Sequence, residues 1–248
     1  MKFILTKATL KDLLSIKTCI YILITIFIYV ICSINLYNVL GGDRNELLFL
    51  MLSGKYTFTI LGKMLYVLSK FIILSLIGNY IYCFFKYSST YYILRTGSIL
   101  KVYISILISS IIVIILYYFS IAILYQTLNY KYLVFNITLV KILLSSILVG
   151  IIDTLTYLLI YLLIFFISKN SIVSYIITLI FQLISIYILN TNLIISKIFP
   201  LTQLLIMQYS DIKSFNYNYA LSFNFILFLI PIFIIKKRTF EIVSLKEN

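Results

Sequence analysis

Two side chains in this sequence carry charge where a membrane protein tolerates it least. Asp153 is the sole charged residue in the run 142–168, within "SSILVGIIDTLTYLL", and Lys70 directly precedes the charge-free run 71–85. An ionisable group at the bilayer centre costs about 2.5–3.5 kcal/mol by insertion measures, so each is a functional hypothesis. Lys70 precedes Lys86 by 16 residues, as Asp153 precedes Lys169. At about 1.5 Å of helical rise per residue, both lie roughly 24 Å from the same membrane edge. An interhelix pair of Lys70 with Asp153 is therefore expected, either structural or in contact with a substrate. In the other reading Lys70 reaches up to the headgroups and Asp153 is protonated. Ser146, Gly150 and Thr154 recur at i, i+4 and i+8 and give a small-residue packing face beside Asp153. Ser75, Gly78, Asn79 and Tyr82 form an arc near Lys70 on the other segment.

Other chemistry is excluded by residue type. The chain has no histidine, which removes Ser-His-Asp and Cys-His hydrolases, His-ligated zinc and the usual haem ligation. Cys19, Cys32 and Cys83 are scattered and read as buried packing residues rather than a disulfide or metal site. Gly54-Lys55 and Gly62-Lys63 lack the upstream glycine and the following Ser or Thr of a phosphate loop. No catalytic set and no metal site are expected, although a membrane enzyme using Asp153 stays open.

The elements that position these residues follow from composition. Of 248 residues 63% are hydrophobic and 11% charged, against roughly 45–50% and about 25% in soluble domains. The bilayer must solvate most of this chain. A membrane-crossing helix needs about 20 mostly apolar residues. The expected fold is all-α with six spans near 18–38, 65–85, 102–125, 143–167, 171–190 and 218–235, in one transmembrane domain over 1–248. The start lacks a small-x-small cleavage pattern, so the first span is expected to persist. Placing both termini in the cytoplasm gathers 12 of the 20 basic residues there, including Lys236, Lys237 and Arg238, as the positive-inside rule favours. The net charge of +13 is read as orientation, with no nucleic-acid partner. The excess of Ile, Tyr, Asn and Lys suggests an AT-rich bacterial genome.

Three segments do not fit simple hairpins. Residues 3–17 fit an amphipathic helix on the inner leaflet with Phe3, Leu10, Leu13 and Leu14 on one face, or a disordered tail. Residues 191–219 are too apolar for a solvated loop and are broken by Pro200, which fits short half-helices in the outer leaflet or a frayed fifth span. "SSTYYILRTGSILK", residues 88–101, has serines to cap helices and Gly97 to stop one. It reads as a short cytoplasmic helix showing Tyr91, Tyr92, Leu94 and Arg95, of which Tyr and Arg are types that anchor protein interfaces, or as a turn with tyrosines at headgroup level.

This layout resembles the type 2 ATP-binding-cassette (ABC) exporter permeases along nearly the whole chain, with loose motifs only. The resemblance implies that "TYYILRTGS", Thr90 to Ser98, is the coupling helix docking on a separate ATPase, and that "IFPLTQLLIMQ", Ile198 to Gln208, forms the outer re-entrant helices. It implies a multi-pass subunit of the bacterial cytoplasmic membrane that dimerises with itself or a sibling. ATP and Mg would be bound by the partner ATPase, with no cofactor in this chain. Outward movement of amphipathic cargo (a peptide toxin or antimicrobial peptide, a drug or a lipid) is the expected function. A non-transporting scaffold or immunity protein is the alternative from another class.

Overall fold

The computed structural model describes residues 2–40, 60–88, 91–93, 98–129, 137–191 and 217–237. They form α1 (Lys2–Leu13), α2 (Ile16–Leu40), α3 (Ile60–Cys83), α4 (Ile99–Asn129), α5 (Ile137–Ser168), α6 (Ser171–Thr191) and α7 (Tyr217–Lys237). No strand occurs among the described residues. Helices α2 to α7 are each long and apolar enough to cross a membrane, over 16–35, 63–87, 99–128, 143–168, 171–188 and 218–235. In hydrocarbon each backbone amide needs a partner within its own segment, which leaves the helix as the available solution. Side-chain hydroxyls use the same ladder. Ser33 donates to the Tyr29 carbonyl, Ser110 to Ile106, Thr156 to Ile152 and Thr178 to Ser174, at 2.7–2.9 Å.

Helix α5 is the centre of the bundle. It packs against α3, α4, α6 and α7, and 72% of its most apolar stretch is buried, against 22% for α2 and 28% for α6 and α7. Large buried side chains are mostly tyrosines, among them Tyr29, Tyr66, Tyr103, Tyr117, Tyr118, Tyr125, Tyr157 and Tyr161. Tyrosine supplies an apolar ring and a hydroxyl that needs a partner. Thus Tyr117 donates to the Ser69 carbonyl at 2.7 Å, tying α4 to α3.

Helix α1 lies against α4. Leu10, Leu13 and Leu14 turn inward, joined by Thr9, whose hydroxyl meets that of Ser109 at 2.6 Å. The helix ends before Ser15, and α2 starts at Ile16. The Phe3 side chain lies outside the described residues. The cysteines differ from expectation. All three are free, with Cys32 and Cys83 exposed and Cys19 half-buried. The outer face of a span meets lipid as apolar as its core, so a thiol there carries no cost.

Helix α3 runs into a π-helical turn, Phe84–Ser88. The extra residue per turn lets both Phe84 and Phe85 face inward while Lys86 and Tyr87 face out. Between α5 and α6 only Lys169 and Asn170 intervene. Lys169 takes the left-handed conformation at φ 56°, and its amide donates to the Phe165 carbonyl at 2.8 Å, closing α5. The Asn170 side chain accepts from the Ile172 and Val173 amides at 2.8 and 3.3 Å, opening α6.

Gly150 sits where a Cβ would collide with the Tyr118 ring. Gly150→Ala should destabilise the protein by about 1–3 kcal/mol, as overpacking does. In the Tyr118→Ala background most of that cost should vanish, which reversible unfolding in detergent would read.

Candidate functional site

A polar cluster sits at the junction of α3, α5 and α6. Tyr66 and Lys70 are four residues apart on α3 and so share a face, as do Asp153, Tyr157 and Tyr161 on α5. Lys70 and Asp153 form an ion pair through Asp153 Oδ2, with 1% and 2% of their side-chain surfaces exposed. The Tyr66 hydroxyl donates to the same Oδ2 at 2.9 Å, and the Lys70 ammonium lies 3.0 Å from the Tyr66 ring centroid. The ammonium meets the carboxylate without a well-directed hydrogen bond, and Asp153 Oδ1 has no hydrogen-bond partner among the described residues. One cation and one anion cancel, so the cluster carries no net charge.

Hydroxyls extend the cluster in both directions. Tyr157 donates to Ser185 Oγ at 3.3 Å. Tyr161 donates to the Gly78 carbonyl at 3.1 Å and meets Ser171 Oγ at 3.0 Å. Tyr175 of α6 donates to the Ser75 carbonyl at 2.7 Å. Gly78 is required here because a Cβ would run into Tyr175 and Tyr161. On the α4 side, Tyr118 and Thr154 share a hydroxyl contact of 2.5 Å. The polar stripe of α6 also buries Ser174, Thr178, Gln182 and Ser185, and Gln182 Oε1 has no partner among the described residues.

The structure therefore brings Lys70 to Asp153, and sets Gly150 and Thr154 against Tyr118 of α4. The Ser146 side chain lies outside the described residues. Residues 91–93 are helical. Tyr91 is 62% exposed, whereas Tyr92 packs on Phe84 with ring centroids 5.1 Å apart. Leu94, Arg95, Pro200 and the half-helices expected at 198–208 lie outside the described residues. No group of three metal-ligating side chains occurs among the described residues.

Sequence reasoning missed the tyrosines. The spacing of Tyr66 to Lys70, and of Asp153 to Tyr157 and Tyr161, was the available signal: in helices it puts hydroxyls beside charges. The α6 stripe 171, 174, 178, 182 and 185 was equally visible as a polar face. No protein family, curated protein or solved structure matches the chain.

Removing one partner of a buried ion pair leaves an uncompensated charge, which costs about 3–5 kcal/mol. Asp153→Asn and Lys70→Gln should each approach that loss, and the double variant should cost clearly less than their sum. Unfolding of all four proteins in the same bilayer would measure it, and strict additivity would rule out a stabilising pair. Tyr66→Phe should cost only about 1 kcal/mol, near the upper part of the range for interhelical hydrogen bonds in membranes.

Proposed function

We propose that this chain is the transmembrane subunit of a bacterial ABC exporter, oriented with both termini in the cytoplasm and powered by a separately encoded ATPase. The observation that carries this reading is the connection after α3. Tyr92 is anchored on Phe84, and Phe84 packs on Phe85. Phe85 in turn contacts Phe165 and Phe166 of α5, at centroid distances of 6.0 and 5.4 Å. Tyr91 stands exposed at the free side of this aromatic chain. A displacement of Tyr91 is thus passed to α3 and α5 together, the two helices held by the Lys70–Asp153 pair. That is what a lever between an ATPase and a membrane path requires.

In this mechanism ATP binding closes two ATPase subunits, pushes the 88–101 segment, and tilts α3 with α5 to open a path between two copies of the permease or a sibling pair. Cargo enters from the cytoplasm or inner leaflet. An apolar bundle suits amphipathic cargo, a peptide first, then a lipid-soluble drug or a lipid. The membrane-enzyme reading with Asp153 is the alternative to this one. Lys70 and Tyr66 both engage Asp153 Oδ2, which supports a structural role for that oxygen.

Purification of the tagged protein from its own cells in mild detergent should recover a near-stoichiometric partner with a phosphate loop. Tyr91→Ala with Arg95→Ala should release that partner while leaving six-span folding intact, because Tyr91 contributes little to the core. Mass spectrometry reads both results. No ATPase with either protein, from folded membrane-inserted material, would favour the scaffold or immunity reading.

A further inference from the structure

A cavity of about 710 Å³ opens where α3 and α5 end and α6 begins, a size that suits a small ligand or a few residues of a chain. Tyr82, Phe85, Phe165 and Tyr175 form much of its wall. Asn79 lines it from α3, seven residues before Lys86, hence about 10 Å farther from the membrane edge. We propose that this cavity binds a segment of an amphipathic peptide, with an aromatic side chain against its walls and a peptide carbonyl on the Asn79 amide. That such a peptide is cargo rests on the export reading above; that it binds does not.

Asn79 is the group that selects the ligand. It stands exposed within the charge-free run 71–85. Its oxygen accepts only a long contact from the Cys83 thiol, at 3.8 Å, and its amide nitrogen donates to nothing among the described residues. An amide without a partner at that depth is costly, and a ligand carbonyl would meet it. The other uncharged polar groups of the lining are engaged. Tyr175 donates to the Ser75 carbonyl, Ser171 meets Tyr161, Ser168 bonds the Asn170 backbone, and the Asn170 side chain caps α6. Tyr82 accepts from Lys86 at 3.3 Å. The aromatic wall is formed in advance, with Phe85 on Phe165 and Tyr175 on Tyr161 at centroid distances of 6.0 and 4.8 Å. Such a wall receives another ring edge to face. Depth separates the possible occupants. An amphipathic peptide helix lies about 5–10 Å into the headgroup boundary, which brings its carbonyls to the level of Asn79. A phospholipid seated with its head at Lys86 has only acyl hydrocarbon there.

The chain has no tryptophan and 23 tyrosines, so energy transfer from protein tyrosine to a tryptophan-bearing probe reads binding directly. The probe is an amphipathic peptide with one tryptophan, acetylated and amidated ends and no net charge. It is titrated into the full-length protein in phosphatidylcholine nanodiscs without ATP, with empty nanodiscs as the blank. Transfer should saturate, and Asn79→Leu should weaken binding by roughly three- to tenfold, the worth of one hydrogen bond. That variant removes an amide from hydrocarbon, so it should melt no lower than the parent. Asn35→Leu removes an exposed amide from α2 instead and should leave binding intact. Bound peptide should also shield Cys83, beside Asn79, from a membrane-permeant maleimide while Cys32, exposed on α2, stays reactive. Transfer that never saturates, equal affinity of the parent and Asn79→Leu, or equal shielding of both thiols would overturn the proposal. Phosphatidylcholine retained by the parent in native mass spectrometry and lost by Asn79→Leu would overturn it in favour of a lipid. Saturable binding without a co-purified ATPase would keep this site and sink the export reading; an ATPase partner without binding would do the reverse.

Discussion

Hydrocarbon offers nothing to a hydrogen bond or a charge, and this constraint organises the whole molecule. An ammonium and a carboxylate set at bilayer depth must find each other or be neutralised. Lys70 and Asp153 do so across α3 and α5, with Tyr66 completing one carboxylate oxygen. Once those helices are pinned at that level, the hydroxyls of Tyr157, Tyr161 and Tyr175 fall opposite groups that accept them. The ladder from Ser185 to Ser171 on α6 is then a consequence of one fixed register.

The same constraint explains the choice of side chains. Between membrane helices there is no hydrophobic driving force, so close packing and interhelical hydrogen bonds decide association. Gly78 and Gly150 each give up a side chain to a tyrosine ring. Each ring brings a hydroxyl that reaches a second helix, as Tyr161 does to the Gly78 carbonyl and Tyr118 does to Thr154. Glycine and tyrosine thus act as complementary halves of one contact.

The two ends of α3 differ in character, and the difference bears on function. Its interior is locked by a neutral pair, while its far end unwinds into a π-turn that splits aromatic and basic side chains between inside and outside. The aromatic half joins α5 and carries Tyr92; the basic half faces the cavity beside Lys169.

Span number, span limits and the common depth of Lys70 and Asp153 were legible along the chain, because length and apolarity are local properties that the bilayer tests residue by residue. The six stretches found differ from the six expected by only a few residues at their ends. Helix phase was legible on α6, from its stripe of serine, threonine and glutamine, but not on α2 or α3. The outward faces of α2 and α3 carry apolar side chains such as Phe27 and Leu68, as the core does, so Cys32 and Cys83 could not be assigned a side from their neighbours. Folding alone selected Tyr66 as the hydroxyl that donates to the ion-paired carboxylate and Tyr118 as the ring over Gly150. Those contacts depend on how each helix is rotated about its axis against the others. Hydrophobicity around these spans is nearly uniform, and only simultaneous packing of all the helices breaks that degeneracy.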